Sequence, residues 1–197
     1  MQSLKVLGVS SSMRKSSFGT RALKIVLEAS LKYDANPRLL ELQKMKLPHF
    51  NPDSLVQSDM ILKKVTDDVN WADAFILVSP DYHGSISGSM KNFLDYYWEE
   101  FAGKTFGYIC TSHEKGLTVM DQMRTAVRQC YGWSLPYGIS VNGEEDFNDM
   151  GEVVNKLLAK RLKMLARDLV VYGKLIRGQF LQDMASKESD TFVARYR

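Results

Sequence analysis

Asp73-Ala74-Phe75-Ile76-Leu77-Val78-Ser79 is the clearest strand in the chain, a short apolar run stopped by Pro80. Outward from it, Leu4-Lys5-Val6-Leu7-Gly8-Val9-Ser10 reads as a first strand and Arg38-Leu39-Leu40-Glu41-Leu42 as a second. Thr105 to Cys110 reads as a fourth strand and Leu135 to Val141 as a fifth. The segments between them have helical period. Ala22, Leu23, Val26, Leu27, Ser30 and Leu31 mark one helix, and Leu55, Ile61, Leu62, Val65 and Val69 the next. A third is expected from about Ser87 to Phe101, a fourth through Val119, Met123, Ala126, Val127 and Cys130, and a long last one from Val153 to Val171. The stretch Leu47-Pro48-His49-Phe50-Asn51-Pro52 is a loop, because its two prolines exclude regular structure. Such strand–helix alternation argues for the α/β class, a parallel sheet covered by helices on both faces. Right-handed crossovers then leave few arrangements. No repeat or low-complexity linker divides the chain. Gly173 to Arg197 is less periodic and more charged, and is expected either to fray into solvent or to pack on a partner subunit.

The 197 residues suit one such domain. A domain of this size buries roughly 70% of its unfolded surface and needs neither disulfides nor metal to hold its core. Apolar residues make up 45% and charged residues 25%, which makes disorder, collagen and coiled coil poor readings. With 26 Lys and Arg against 23 Asp and Glu, the net charge of +3 is too small to argue for a surface that tracks nucleic-acid phosphates. Cys110 and Cys130 form no C-x-x-C pair and are expected as reduced thiols. Met1 to Val6 has no charged segment followed by a long apolar one, and no apolar run approaches a membrane span. These features together lead to the expectation of a soluble, cytoplasmic domain that binds neither nucleic acid nor membrane.

In doubly wound sheets, ligands bind outside the carboxyl ends of the strands where strand order reverses. The loop after the first strand runs from Ser10 to Thr20 and holds five serines, Arg14 and Lys15. A helix start offers unpaired N–H groups and the positive end of a dipole, hydroxyls add donors, and Arg14 can fork onto phosphate oxygens. Helix capping by Ser16 or Ser17 is the simpler reading, but a cap uses a single hydroxyl. The loop therefore reads as a phosphate site. No G-x-G-x-x-G follows the first strand. Gly103-Lys104-Thr105 looks like the end of a P-loop, yet Trp98 stands where the leading glycine belongs and a strand follows instead of a helix. The loop after the third strand, Pro80 to Gly88, offers Tyr82 and His83 as flat surfaces. Its Pro/Gly-braced turn can present backbone groups to the edge of a planar heterocycle.

Ser79-Pro80-Asp81-Tyr82-His83, followed by Ser87-Gly88-Ser89-Met90-Lys91-Asn92-Phe93-Leu94-Asp95, resembles the signature of the NAD(P)H-dependent FMN reductase family, including its azo-dye and quinone reductase subgroup. Ser12, Arg14 and Ser17 match that family's phosphate loop, and Leu47 to Asp53 its loop after the second strand. The likeness covers roughly residues 4 to 165 in order and spacing. Some positions depart from the pattern. Ser11 replaces a usual Gly, Gly19 a frequent Asn whose donor Thr20 would replace, Asp81 a Glu, and His83 the commoner Asn. Thr111 to Gly116 keeps part of a Gly-rich third loop.

The resemblance implies a flavodoxin-like three-layer sandwich with a five-stranded parallel sheet in the order 2-1-3-4-5. Residues 1–172 would form the FMN-binding domain and 173–197 a C-terminal extension. The cofactor-binding set it implies is Ser12, Arg14, Ser17, Phe18, Gly19, Thr20, Pro80, Asp81, Tyr82, His83, Gly84 and Ser112. Backbone N–H groups of Asp81 to Gly84 would meet the flavin ring, with Tyr82 and His83 beside it. The chemistry sits on the flavin, so no side-chain nucleophile or metal is needed. NADPH or NADH would donate hydride, and a quinone, free flavin, azo compound or oxidised metal would accept it in a ping-pong sequence. A non-catalytic electron carrier is the second reading, against which the absence of strong acidity counts. A redox-responsive flavin-binding regulator is the third. Lys91 and Asp95 are spaced to pair. Tyr96, Tyr97, Trp98 and Phe101 form an aromatic run too dense for one helix face to hide, which points to a homodimer or homotetramer. His49 and His113 are too isolated to suggest a metal. Cys110 is expected as a buried core thiol, with contact to the site as the alternative.

Overall fold

Successive side chains of β3 (Ala74–Pro80) enter two different cores, because residues on a strand alternate between faces. Phe75 and Leu77 join one core, while Ala74, Ile76 and Val78 join the other. The computed structural model, which describes residues 3–53 and 59–197, has β3 at the centre of a parallel sheet. β1 (Leu4–Ser10) pairs with it on one side, from Val6 opposite Ala74 to Ser10 opposite Val78. β4 (Thr105–Thr111) pairs on the other, and β2 (Ala35–Glu41) lies beyond β1. The order is β2-β1-β3-β4-β5, as the family resemblance implies.

The fifth position differs in detail from the expected single strand. It is filled by two short pieces, β5 (Trp133–Ser134) and β6 (Ile139–Val141), both paired with β4. Pro136 lies between them and has no N–H to give to a ladder. Helices α1 (Phe18–Ser30) and α7 (Lys156–Ala185) cover one face of the sheet. The other face is covered by α3 (Met60–Trp71), α4 (Gly88–Asp95) and α5 (Leu117–Gln129). Single turns form at α2 (Leu42–Met45) and α6 (Gly143–Asp146). The helix expected through Leu55 begins at Met60, where Asp59 caps it by accepting from the N–H groups of Ile61 and Leu62 at 2.7 and 2.9 Å. Leu55 lies outside the described residues.

Three expectations are corrected. The helix foreseen from Ser87 to Phe101 stops at Asp95, and a single 3₁₀ turn follows at Glu99–Phe101. That break turns the aromatic run inward. Phe101 and Tyr97 are buried, Phe101 meets Phe75 and Phe106 edge-on at 5.3 and 5.2 Å, and Trp98 alone of the run is well exposed. The run is therefore mostly core and does not by itself argue for a subunit interface. Gly103-Lys104-Thr105 is likewise structural, since Thr105 opens β4 and the buried Lys104 ammonium donates to the Val69 carbonyl of α3 at 2.9 Å. Burial lowers Lys104 to about 8.

The third correction concerns the C-terminus. α7 crosses position 172 without a break and continues to Ala185. The chain then turns back as a 3₁₀ segment, Phe192–Tyr196, and packs on its own domain instead of fraying. Phe180 and Val193 bury against Ala102, Tyr131 stacks on Phe192 at 6.0 Å, and the Arg195 guanidinium donates to the Tyr131 hydroxyl at 2.6 Å. Gly103 is needed beneath it, because a Cβ there would come within 2.0 Å of the Phe180 ring. Phe180→Ala is expected to lower unfolding free energy by about 3 kcal/mol, read from the urea midpoint. An unchanged midpoint would show that the tail is not part of the fold.

Candidate active site

The strands β1, β3, β4 and β6 all end at one edge of the sheet, and strand order reverses between β1 and β3. A cavity of about 280 Å³ opens there. Ser12, Arg14, Ser16, Ser17 and Phe18 line it from the loop after β1 and the start of α1, and Pro80, Asp81 and Tyr82 from the loop after β3. Thr111 to Glu114 follow β4, and Asn142 to Glu144 follow β6. A second cavity of about 1000 Å³ shares Asp81, His113, Glu114 and Asn142 with the first and adds His83, Gly84 and Lys115.

The first loop divides its hydroxyls between packing and the cavity. The Ser10 hydroxyl bonds that of Thr20 at 2.7 Å, and both are buried. Ser11 is fully buried, donating to the Val78 carbonyl at 3.0 Å and bonding the Ser87 hydroxyl at 2.7 Å. Ser17 caps α1 by accepting from the Thr20 N–H. This leaves Ser12, Ser16 and Ser17 at the cavity wall, beside the dipole end of a thirteen-residue helix. Arg14 is exposed at the opening and makes no ion pair among the described residues.

The second loop is a tight, braced turn. Tyr82 and Ser85 exchange both backbone hydrogen bonds at 3.1 Å, with His83 and Gly84 at positive φ between them. Asp81 clamps this turn to the third loop. One carboxylate oxygen accepts from the Gly84 N–H at 2.8 Å and the other from the Ser112 hydroxyl at 3.0 Å. Gln122 of α5 holds the far side, accepting from Ser85 Oγ and the Ile86 N–H and donating to the Gly84 carbonyl. The N–H groups of Asp81, Tyr82 and Gly84 are thus already bonded within the chain. Among the described residues, the row of free donors expected across Asp81 to Gly84 reduces to that of His83.

Eight of the twelve residues expected at the site line the first cavity: Ser12, Arg14, Ser17, Phe18, Pro80, Asp81, Tyr82 and Ser112. His83 and Gly84 face the adjoining one. Gly19 and Thr20 line neither. Thr20 is spent on Ser10, and Gly19 lets α1 approach the sheet, since a Cβ there would fall 2.6 Å from Thr111 Oγ1 and 2.9 Å from Val78 Cγ1. Ser16, Thr111, His113 and Glu114 lie in the first and third loops that sequence reasoning named but stood outside its cofactor-binding set, and Asn142 to Glu144 were not singled out. Of these, Ser16 was legible as a further serine in the loop. Cys110 is buried beneath the third loop, and burial with the nearby Asp81 carboxylate pushes its thiol up to about 12. It is a core thiol.

A doubly wound sheet with an anion-fitted helix start and a braced cleft at its switch point defines a flavodoxin-like cofactor-binding protein. Residues 4–146 match the NADPH-dependent FMN reductase family, and the chain belongs to that family. It is an oxidoreductase whose cofactor is FMN and whose reductant is a reduced nicotinamide. An NADPH azoreductase of Bacillus sp. is 26% identical over 141 residues, covering 70% of this chain and 79% of the relative. An FMN-dependent NADPH-azoreductase of Staphylococcus saprophyticus is 33% identical over 100 residues, covering 49% of this chain and about half, 52%, of the relative. The flavoenzyme NAD(P)H:(acceptor) oxidoreductase FerB from Paracoccus denitrificans shares the fold, with a TM-score of 0.73 at 20% identity over 87% of this chain and 98% of that one. The residues fit FMN: a guanidinium without an ionic partner among the described residues, three hydroxyls and a helix start suit its phosphate, and the cleft between the second and third loops suits a planar ring.

Gly19→Ala is expected to destabilise the protein by about 1–3 kcal/mol, because the added methyl pushes α1 off Thr111 and Val78. A thermal scan of the apoprotein checks this, and an unshifted midpoint would show that α1 can retreat freely.

Proposed function

We propose that the protein passes hydride from NADPH or NADH through FMN to a small oxidised acceptor, such as a quinone, a free flavin or an azo compound. The observation that carries the reading is the cation at the cavity mouth. Arg14, without an ionic partner among the described residues, stands beside Ser12, Ser16 and Ser17 at the start of α1. FMN, when bound, supplies the centre that accepts and releases hydride. The work of this chain is then binding and orientation. Arg14 and the loop serines neutralise and hold the phosphate, and the Asp81–Ser112 clamp keeps the second and third loops at a fixed separation.

Tyr82, 44% exposed on the rim, leaves one side of the cleft open to solvent. Donor and acceptor use that side in turn, which supports a ping-pong sequence. The azoreductase activity for which the two relatives are named supports azo compounds as one class of acceptor. A cytoplasmic homodimer or homotetramer is part of this reading and rests on the family resemblance, not on the aromatic run. No helix among the described residues is long and apolar enough to cross a membrane.

Mixing the FMN-loaded protein with NADPH or NADH without oxygen is expected to bleach the flavin absorbance, and a quinone to restore it. Initial rates at several acceptor concentrations should give parallel double-reciprocal lines. Bound FMN that neither nicotinamide reduces would sink the reading. Arg14→Ala is expected to weaken FMN binding by about 1.5–3 kcal/mol, roughly 10- to 150-fold in Kd. Retention equal to that of the unaltered protein would remove Arg14 from the phosphate site.

A further inference from the structure

The three serines at the cavity wall share a hydrogen-bonding pattern. Each hydroxyl oxygen accepts from within the chain: Ser12 from the Arg14 N–H at 3.4 Å, Ser17 from the Thr20 N–H at 3.3 Å, and Ser16 from the Arg21 guanidinium at 2.8 Å. None of the three gives its own hydrogen to another of the described residues. Ser10 and Ser11 differ, because their hydroxyls are bonded to Thr20, Val78 and Ser87. A hydroxyl carries one donor hydrogen, and with an acceptor position engaged that hydrogen is left for a group outside the chain. At Ser16 the engaging donor is charged, which polarises the hydroxyl and strengthens what it can give. Ser16 is also exposed, so a ligand can reach it.

Arg21 is oddly placed for a residue with only a structural task. It closes the first turn of α1, where a cation opposes the helix dipole. No carboxylate lies in that turn, and Arg21 makes no ion pair among the described residues. Its guanidinium has one hydrogen-bond partner among them, the neutral Ser16 hydroxyl. Packing nonetheless fixes it. The guanidinium lies over the Phe18 ring at 5.3 Å, and Phe18 rests in turn on Phe147 at 5.3 Å. The turn closed by the Gly151 N–H on the Asn148 carbonyl presses on it as well, since a Cβ at Gly151 would run into the guanidinium. An anion at the same helix start would offset the unfavourable placement of this cation.

We propose that Arg21 is a positioning residue of the cofactor site: its guanidinium holds the Ser16 oxygen, so that the Ser16 hydroxyl hydrogen is given to the FMN phosphate. This inference rests on the FMN reading above. Arg14 stands at the cavity wall and meets the phosphate directly, whereas Arg21 does not line the cavity and acts through Ser16. The polyol and the ring gain nothing from the pair, which therefore favours FMN over riboflavin.

Titrating Arg21→Ala, Ser16→Ala and the double variant with FMN and with riboflavin tests this. Each single substitution is expected to raise the FMN Kd about 5- to 15-fold and to leave the riboflavin Kd within about twofold. In the Ser16→Ala background, Arg21→Ala should add less than about twofold, because the route through the hydroxyl is already cut. The apoprotein midpoint of Arg21→Ala should be unchanged or higher, since a cation that opposes the helix dipole has gone. An equal loss for riboflavin with a midpoint lowered by several degrees would show a merely structural role and overturn the inference. A full effect of Arg21→Ala in the Ser16→Ala background would overturn it too, because the guanidinium would then act without the serine. If the unaltered protein binds no FMN, the functional reading fails and takes the inference with it. Normal FMN binding that ignores Arg21→Ala removes the inference alone.

Discussion

The parallel pairing of β1 with β3 is the constraint on which the rest of the site depends. With Ser10 opposite Val78, the ends of the two strands lie side by side, and the chain must leave them in loops that share one edge of the sheet. β2 lies to one side of β1 and β4 to the far side of β3, so α1, which follows β1, and α4, which follows β3, cover opposite faces. A crevice between the two loops follows from that geometry before any side chain in it is considered. The apolar alternation of β3 holds the pairing in register, because a slip of one residue would exchange Phe75 and Leu77 with Ile76 and Val78 between unlike cores.

Hydroxyl groups join the two loops into one rigid body. Ser11 reaches the Val78 carbonyl and Ser87, Ser89 donates to the Ser11 carbonyl at 2.7 Å, and the Ser87 N–H donates to Ser79 Oγ at 3.0 Å. The position at which the family usually has glycine thus carries a side chain that bonds across the crevice. Buried and mutually satisfied, these groups give directional links where an apolar contact would give none. Asp81 extends the network to Ser112 after β4, and Gln122 closes it from α5. A cavity framed by such bonds is already ordered, which lowers the cost of holding a flat cofactor.

Local pattern made much of this legible. Continuous apolar runs marked β1, β3 and β4 to within a residue or two, and the serines and arginine after β1 marked an anion site. The misreadings share a cause. Tyr96, Tyr97 and Phe101 resemble an exposed patch only if the helix continues past Asp95, and the break at that point turns them inward. Residues 173 to 197 look loose because Phe180, Val193 and Tyr196 bury against Ala102 and Tyr131, some fifty to ninety positions away in the chain. At Gly19 the absence of a side chain is required by Thr111 on a strand far along the sequence, which the phosphate loop alone does not show.

The sequence by itself determined the class of the protein. Strand–helix periodicity dictates a doubly wound sheet with an anion site, because strand alternation and helix-start anion binding are properties of short segments, and the resemblance of the two loop motifs to a known family marks a flavin reductase. Tertiary structure alone decided which groups are left for a ligand. The second loop uses most of its own N–H donors, Thr20 is consumed by Ser10, and a fourth wall of the cavity comes from Asn142 to Glu144 after a divided fifth strand. A hydrogen-bonding group is available only if nothing else in the fold has taken it, and that is settled by neighbours which the linear order of residues keeps far apart.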